Sequence, residues 1–261
     1  MLKAILGRIL AFWALIAWVV LMLLFFPILM TSYATPDPEG MERFRRISKV
    51  WIPTFLFLTG CRFRRRGEDN FKKGEIYIVV VNHNSFLDIP LSTPAIPGPN
   101  KTIAKIELSR IPIFGLIYKR GSVLVDRKNP DSRKESYRAM KGVLAKGMHM
   151  CIYAEGSRNR TTRPLKEFQD GAFRLSADTG VSIIPALIFN TREVLPANKP
   201  FFFWPKPVEM HFLPPVSPEG LDYKALKDKV HGIMEAYYVG KAAGLAGGAP
   251  KSWLAGHEPK S

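Results

Sequence analysis

Hydrophobic residues along this chain form one long run and several short ones. The long run, Ala11–Met30, holds 20 residues without a charge, which is the length that an α-helix needs to cross a hydrocarbon layer of about 30 Å. A signal peptide has a shorter apolar core of roughly 7–15 residues, and no convincing small-residue cleavage site follows this run. The pattern therefore predicts an uncleaved membrane segment that kinks or ends near Pro27.

A second apolar run, Val50–Gly60, is too short to span a bilayer and contains Pro53. Basic residues lie on both sides of it. One interpretation is an interfacial or re-entrant segment with its basic flanks at anionic lipid headgroups; a core helix beside a solvated charge run is the alternative. The basic residues after Met30 predict that the main domain faces the cytoplasm, at the cell inner membrane or another cytoplasm-facing membrane.

After residue 75 the pattern changes to short apolar runs separated by segments with helical spacing. Four runs predict buried strands, namely Ile76–Val81, Ser122–Val125, Met148–Tyr153 and Val181–Ile188. Helices are predicted from a capping box at Ser132 and Glu135, near residues 170–178 and near residues 221–238. This alternation predicts an α/β fold, an αβ sandwich around a largely parallel sheet, with an N-terminal membrane-anchoring helical segment.

These patterns divide the chain into three parts. Residues 1–66 are predicted to form membrane-anchoring and interfacial helices, and residues 67–240 the main domain. Residues 241–261 are rich in Gly, Ala and Pro, which predicts a flexible C-terminal tail.

Composition and charge narrow the class of protein. The 261 residues are 47% hydrophobic and 23% charged, which excludes wholesale disorder. Cys61 and Cys151 cannot form a disulfide framework, which excludes a secreted disulfide-stapled protein, and neither lies at metal-ligand spacing. The net charge of +16 favours an anionic partner, either nucleic acid or an anionic lipid surface.

The first predicted strand leads directly into a histidine with an acid five residues later, His83 and Asp88. Sheets of this class place ligands at the carboxyl ends of their strands. An aspartate just inside the next helix can turn back onto the imidazole, fix its tautomer and stabilise the imidazolium. Taken alone, the pair is also compatible with a structural histidine that caps the helix.

Two further strands end in charged residues. The segment Glu155–Arg158 reads Glu-Gly-Ser-Arg, a turn that brings a carboxylate, backbone N–H groups and a guanidinium together. Such a turn suits a phosphate and a neighbouring hydroxyl. The strand Ser122–Val125 ends in Asp126 and Arg127. Taken alone, each arginine is also compatible with an ordinary surface salt bridge.

Taken together and in this order, these motifs resemble those of the glycerolipid acyltransferases of the 1-acylglycerol-3-phosphate acyltransferase family. The first motif of that family is Asn-His, four residues and Asp; the second ends in Asp-Arg; the third contains Glu-Gly-Thr/Ser-Arg; the fourth is an apolar strand ending near a proline. The matching residues are, in that order, Asn82, His83 and Asp88, then Gly121, Leu124, Val125, Asp126 and Arg127, then Glu155, Gly156, Ser157 and Arg158, and finally Val181–Pro185. The departure is Tyr153-Ala154 in place of the usual Phe-Pro.

The resemblance implies a direct acyl transfer that requires no metal and no bound cofactor. In this family the histidine is the general base that activates the acceptor hydroxyl, so His83 is the implied base and Asp88 its orienting carboxylate. The chain has no Gly-x-Ser-x-Gly nucleophile elbow, which agrees with direct attack. The implied substrate-binding residues are Arg127 and Arg158 at a phosphate, Glu155 at the glycerol portion, Gly156 and Ser157 in the same turn, and Lys105 as a further phosphate contact.

The implied activity is transfer of a fatty acyl group from an acyl thioester to the free hydroxyl of 1-acyl-sn-glycerol-3-phosphate, which gives phosphatidic acid in phospholipid biosynthesis. The donor, acyl-CoA or acyl carrier protein, stays open, and lysophosphatidate and an anionic membrane surface are the implied partners. One alternative is another lysolipid acceptor, such as a lyso-ornithine lipid or a lysophospholipid. A membrane-tethered module that binds nucleic acid is the remote alternative, because aromatic residues are not interleaved with the basic ones and no recognition helix is evident.

Overall fold

The computed structural model describes residues 1–244, so residues 245–261 of the predicted flexible tail lie outside the described part. The helices are α1 (Leu2–Met30), α2 (Glu39–Leu58), α3 (Asp88–Ala95), α4 (Phe114–Arg120), α5 (Pro130–Ala145), α6 (Gly171–Thr179), α7 (Thr191–Val194) and α8 (Tyr223–Ala242). The strands are β1 (Phe63–Arg66), β2 (Ile78–Val81), β3 (Asn100–Lys105), β4 (Ser122–Val125), β5 (His149–Tyr153), β6 (Ile183–Phe189) and β7 (Val208–Phe212).

The seven strands form a single sheet in the order β1-β7-β6-β2-β5-β3-β4. Neighbouring strands run parallel except β6 and β7, which are antiparallel. Helices α5, α6 and α8 pack in one group against the sheet, and α1, α2, α3 and α4 form another group. A parallel sheet needs such helical cover because both its faces are apolar. The predicted α/β fold with a largely parallel sheet is confirmed.

The central strands account for the short apolar runs in the sequence. Every residue of β2, β5 and β6 is buried, which explains why these strands, apart from His149, are runs of apolar residues that do not alternate with polar ones. The predicted strand at residues 122–125 matches β4, and the other three predicted strands match β2, β5 and β6 to within two residues at each end. These strands fix the edge of the sheet at which the sequence motifs lie.

Strand β1 carries three arginines and has no strand signal of its own. It forms because its backbone pairs in parallel with β7, from Phe63 opposite Val208 to Arg66 opposite His211. Strand β1 lies at one edge of the sheet and keeps its charged side chains in solvent. Charged side chains on an edge strand also hinder its pairing with other chains. The sheet therefore begins before residue 67, where the sequence places the start of the main domain.

Helix α5 begins earlier than the predicted capping box at Ser132 and Glu135. The Asn129 side chain accepts hydrogen bonds from the N–H groups of Asp131 and Ser132, and Pro130 occupies the first helical position. Asn followed by Pro is a stronger start because the proline lacks the N–H that would otherwise need a cap. The Ser132 hydroxyl instead accepts the backbone N–H of Asp126 at 2.9 Å.

Helices α1 and α2 form an antiparallel hairpin in which aromatic rings pack together. The Trp18 and Trp51 ring centroids lie 5.1 Å apart. Helix α2 continues through Pro53, which costs it one backbone hydrogen bond, and its residues Trp51 and Phe55 are buried. The run Val50–Gly60 is therefore mostly the second half of a helix with one buried face, and its position at the membrane interface stays a prediction.

Helix α1 continues past Pro27 to Met30. Within residues 1–244 the segment Leu2–Ala34 is the single helical stretch that is long and apolar enough to cross a membrane, judged by length and composition. Its buried residues are mostly small ones such as Gly7 and Ala14, whereas large apolar residues such as Phe12 and Leu24 are exposed. This outward apolar face is consistent with membrane association.

Candidate active site

The parallel strands bring the sequence motifs to one edge of the sheet. Strands β2, β5, β3 and β4 are consecutive neighbours and all run in the same direction. Val81 lies opposite Tyr153, and Lys105 lies opposite Val125. The residues that follow each strand therefore meet at the carboxyl edge, where open α/β sheets bind their ligands.

The histidine and the aspartate of the first motif are in direct contact. His83 Nδ1 lies 2.9 Å from Asp88 Oδ2, and the Asp88 side chain is fully buried at the start of α3. The same carboxylate oxygen accepts the backbone N–H groups of Asn84 at 2.6 Å and Ser85 at 2.7 Å. The loop after β2 is therefore wrapped around this carboxylate, which fixes the orientation of the imidazole.

The second imidazole nitrogen, Nε2, is left without a partner among the described residues. The His83 side chain is 13% exposed and its ring packs on Tyr153 with centroids 4.5 Å apart. Among residues 1–244, no hydrogen-bond partner contacts Nε2. Because Asp88 accepts the Nδ1–H, the free lone pair of neutral His83 is on Nε2. The pair can thus accept a proton from a bound hydroxyl while the buried carboxylate holds the ring.

Glu155 lies next to the histidine loop and faces the protein interior. Its Oε1 accepts the backbone N–H of His83 at 2.9 Å, and its Oε2 accepts that of Lys166 at 3.2 Å. The side chain is buried, and this burial raises the pKa of Glu155 to about 7 although both N–H groups favour the ionised form. Both carboxylate oxygens thus bond to the backbone of two loops, and the glycerol contact that the resemblance implies for Glu155 stays a prediction.

Gly156 gives the turn a left-handed backbone conformation and lies near the Arg127 guanidinium. Its φ of +69° is left-handed, and a Cβ there would lie 3.0 Å from Gln169 Cγ and 3.7 Å from Arg127 Nη1. A larger residue would therefore be strained and crowded. The structure thus brings Arg127 of the second motif beside Gly156 of the third.

Arg158 and Ser157 lie on the same turn and make different contacts. The guanidinium of Arg158 stacks on the ring of Phe86 at 3.6 Å from the centroid. Partial burial and the neighbouring Arg160 lower the pKa of Arg158, so cations are crowded at this position and an anion would be favoured there. Ser157 Oγ accepts a hydrogen bond from Lys166 Nζ at 2.7 Å.

Lys105 is the residue that the structure ties least firmly to the site. It ends β3 at the carboxyl edge and lies opposite Val125. Val125 is the last residue of the neighbouring strand β4, and Arg127 follows it by two positions. Its side chain is exposed and makes no hydrogen bond or ion pair within the described residues. Lys105 is therefore at the correct edge but contacts none of the other predicted site residues.

Two residues that support the site were not predicted from the sequence. The backbone N–H of Asn159 donates to the His83 carbonyl at 2.6 Å, and Asn159 itself is buried. Lys166 contacts both Glu155 and Ser157. Asn159 could have been found because it follows the third motif directly, whereas Lys166 lies in an irregular loop that offers no periodic signal.

An apolar cavity of about 470 Å³ lies between the α1–α2 hairpin and the sheet. Its lining comes from several elements and includes Leu15, Trp18, Trp51, Phe86, Tyr118 and Ser122. Phe86 is also the ring beneath Arg158, so the cavity reaches the cationic side of the site. Its size and lining are those of a pocket for an apolar ligand. Across residues 1–244, His, Cys, Asp and Glu side chains form no group of three that could hold a metal ion.

The raised pKa of Glu155 predicts a pH-dependent contribution to stability. Between the unfolded value of 4.5 and the folded value of about 7, the native state binds more protons than the unfolded state. This contribution is complete below pH 4.5 and is lost as the pH rises through 7. Relative to Glu155→Gln, the free energy of unfolding of the wild type should fall by up to roughly 3 kcal/mol over that range. Denaturant titrations at several pH values measure it, and a pH-independent difference would contradict this assignment.

Comparison with known proteins identifies relatives of this chain. A family model described as Acyltransferase matches residues 62–189. The chain is 29% identical over 232 residues to the 1-acyl-sn-glycerol-3-phosphate acyltransferase alpha of Mus musculus, covering 87% of this chain and 81% of that protein. It is 29% identical over 164 residues to the 1-acyl-sn-glycerol-3-phosphate acyltransferase of Cocos nucifera, covering 62% of this chain and 52% of that protein.

A solved structure shares the fold. It is that of the 1-acyl-sn-glycerophosphate acyltransferase PlsC from Thermotoga maritima, with a TM-score of 0.79 and 22% identity, covering 92% of this chain and 97% of that one. The resemblance drawn from the sequence motifs is confirmed by the family match and by the named relatives. Residues 62–189 match the acyltransferase family model, and most of the chain is similar to these 1-acyl-sn-glycerol-3-phosphate acyltransferases.

Proposed function

We propose that this acyltransferase moves a fatty acyl group from an acyl thioester to the free hydroxyl of 1-acyl-sn-glycerol-3-phosphate, giving phosphatidic acid in phospholipid biosynthesis. The observation that carries the proposal is the His83–Asp88 pair at 2.9 Å, next to the cationic turn at Arg158. A lysophosphatidate needs a base for its hydroxyl, cations for its phosphate and an apolar place for its chain. The carboxyl edge of the sheet offers the base and the cations, and the apolar cavity opens to it at Phe86.

In the proposed reaction His83 Nε2 takes the proton of the acceptor hydroxyl as the oxygen attacks the thioester carbonyl. The tetrahedral intermediate then expels the donor thiolate, which recovers that proton from the imidazolium. Asp88 holds the Nδ1–H and stabilises the positive ring between the two steps. No acyl-enzyme is formed, so the hydroxyl and the thioester must be bound together.

Arg127 and Arg158 are the proposed phosphate ligands. Both are guanidinium groups on the turn side of the site, and neither has an ion-pair partner among the described residues. A planar guanidinium can bond two phosphate oxygens at once, which fixes the acceptor as well as binding it. Lys105 is assigned a longer-range electrostatic role at the same edge, and Glu155 holds the loops together.

The apolar cavity is the proposed site of a substrate acyl chain. Each methylene group moved from water into such a cavity contributes about 0.8 kcal/mol. Phe86 lies at the end nearest the histidine loop, whereas Ser122 begins β4 and therefore lies toward the opposite edge of the sheet. The cavity thus extends away from the reacting groups, and its far end limits the length of chain that fits.

Ser122→Phe should therefore shift the chain-length preference toward shorter acyl groups. The added ring fills the far end of the cavity, so long chains lose burial while short chains are still transferred. Ser122→Ala is the matched control, because it leaves the space open and should keep the wild-type preference. Rates with a series of acyl chain lengths measure the effect, and an unchanged profile in Ser122→Phe would place the chain elsewhere.

We further propose that α1 lies along one leaflet of the membrane with the catalytic domain on the cytoplasmic side. Both ends of α1 are fixed to the domain: Phe203 N–H donates to the Gly7 carbonyl at 3.0 Å, and Arg120 donates to the Ser32 carbonyl at 2.9 Å. Gly7 and Ser32 are roughly 38 Å apart along the helix axis, which exceeds a hydrocarbon core of about 30 Å. An upright α1 would carry these domain contacts to opposite membrane surfaces.

A pair of cysteine variants tests this arrangement. Leu2→Cys and Glu39→Cys place exposed thiols at the start of α1 and at the start of α2, and the native Cys61 and Cys151 are buried. A membrane-impermeant maleimide should label both positions from the same side of oriented membrane vesicles. Labelling of the two positions from opposite sides would show that α1 crosses the bilayer.

The proposed activity is tested with the purified full chain in detergent micelles. With lysophosphatidate and an acyl-CoA we expect phosphatidate and free CoA in equal amounts, detected by mass spectrometry and a thiol reagent. A parallel reaction with acyl carrier protein as donor identifies the natural thioester. Release of the thiol without phosphatidate would mean that water, and not this acceptor, receives the acyl group.

A further inference from the structure

Arg192 lies three residues beyond β6 at the same carboxyl edge, and no sequence motif includes it. Its side chain joins two loops of the site. Nη2 donates to Asn84 Oδ1 at 3.0 Å, and Nη1 donates to the Thr161 carbonyl at 3.0 Å. A longer contact of 3.5 Å joins Nη2 to the Asn159 carbonyl. Arg192 thus contacts the neighbour of His83 on one side and the segment after Arg158 on the other.

The guanidinium is held by neutral acceptors. Among residues 1–244 no carboxylate lies within ion-pair distance of Arg192, and its Nε is buried without a partner. A partly buried arginine is usually paired with an acid, so an ordinary structural salt bridge does not account for this placement. The planar guanidinium of Arg192 instead holds its acceptors, Asn84 and Thr161, at a fixed separation. A flexible lysine side chain would hold them less well.

The segments on either side of the short helix α7 also hold the histidine loop. Ser85 Oγ donates to the Leu195 carbonyl at 2.7 Å. Asn82 exchanges two hydrogen bonds with the backbone of Ile188 in β6, at 3.1 Å and 2.7 Å. The residue before His83 and the two residues after it are therefore all bonded to the segment that carries Arg192.

Asn84 connects Arg192 to the reacting groups. The Asn84 side chain accepts from Arg192, and its backbone N–H donates to Asp88 Oδ2 at 2.6 Å, the oxygen that orients His83. Movement of Asn84 would therefore disturb the carboxylate that sets the imidazole. A displacement of about 1 Å at reacting groups can cost on the order of 10²-fold in rate.

We propose that Arg192 is a positioning residue for acyl transfer, which locks the His83 loop against the Arg158 loop through Asn84. This inference rests on the proposed function, since it assigns Arg192 a role in the same reaction. Arg192 touches neither the acceptor phosphate nor the reacting hydroxyl in this assignment. Its loss should therefore slow the chemical step and leave acceptor binding nearly unchanged.

The test compares Arg192→Ala and Arg192→Lys with the wild type and with Arg138→Ala, an exposed arginine on α5. We expect kcat to fall about 10²-fold in Arg192→Ala while the KM for lysophosphatidate changes less than threefold. Added guanidinium ion should restore part of the kcat of Arg192→Ala. The kcat of Arg192→Lys should lie between those of the wild type and Arg192→Ala. Thermal unfolding checks that each variant is folded.

A double variant separates positioning from other roles. If Arg192 acts through Asn84, the Asn84→Ala, Arg192→Ala protein should be little slower than Arg192→Ala alone. A rise in acceptor KM with unchanged kcat would make Arg192 a phosphate ligand and overturn the proposal, as would losses that multiply in the double variant. Failure of the proposed function is distinguished by the wild type and Arg138→Ala, which would then lack lysophosphatidate acylation altogether.

Discussion

Replacing His83 by alanine should lower acyl transfer by about 10²–10⁴-fold while the domain stays folded. His83 Nε2 has no partner among the described residues and is the proposed proton acceptor, and within residues 1–244 the imidazole forms hydrogen bonds only with Asp88. Losing the ring therefore removes the base and leaves the surrounding backbone hydrogen bonds in place. Initial rates with lysophosphatidate measure the effect, and circular dichroism and thermal unfolding verify the fold.

Asp88→Asn is the companion variant and should lose less activity than His83→Ala. The amide keeps an oxygen that can accept from Nδ1 and from the loop N–H groups, so the ring orientation survives while the negative charge is lost. A folded His83→Ala protein with near-normal turnover would remove His83 as the base. A larger loss in Asp88→Asn than in His83→Ala would show that the carboxylate does more than orient and stabilise the ring.

Replacing Arg158 or Arg127 by lysine should raise the KM for lysophosphatidate roughly 10–100-fold and leave the KM for the donor nearly unchanged. The substitution keeps the charge but removes the two-pronged hydrogen bonding, worth about 1.5–3 kcal/mol for a charged partner. Arg158→Lys also weakens the stack on Phe86. Steady-state kinetics with each substrate varied in turn separates the two KM values.

The exposed Arg138 of α5 provides the control for these variants. Arg138→Lys should behave as the wild type with both substrates, because this side chain lies outside the motifs. Equal rises of the donor and acceptor KM values in Arg158→Lys or Arg127→Lys would indicate a general distortion of the site. The phosphate assignment would then be withdrawn.

The site was predictable where residues follow strands directly. His83 and Asp88 could be paired from the sequence because a strand fixes one residue and the first turn of α3 fixes the other. The inward direction of Glu155 could not be predicted, since it depends on the backbone N–H of Lys166 in an irregular loop. The role of a motif residue thus followed from local geometry only where both partners lie within a few residues of each other.

The fold was predictable where strands are buried on both faces. Strands β2, β5 and β6 are short buried runs that are apolar apart from His149. Strand β1 forms because its backbone pairs with β7, and its Arg-rich sequence has no strand pattern. The apolar run Val50–Gly60 is predicted as a segment of its own because it contains Pro53 and proline is disfavoured inside a helix, whereas most of it belongs to α2. Burial of Trp51 and Phe55 against α1 and the domain outweighs that local cost.

The most direct test of lysophosphatidate acylation is the ratio of kcat/KM for lysophosphatidate to that for the monoacylglycerol with the same chain, using one acyl-CoA. The two acceptors share the hydroxyl and the acyl chain and differ only in the phosphate that Arg127 and Arg158 are assigned to bind. Two charge-assisted contacts of this kind predict a ratio of about 10²–10⁴ in favour of lysophosphatidate. A ratio near one, or faster acylation of lysophosphatidylcholine or a lyso-ornithine lipid than of lysophosphatidate, would contradict the assigned acceptor.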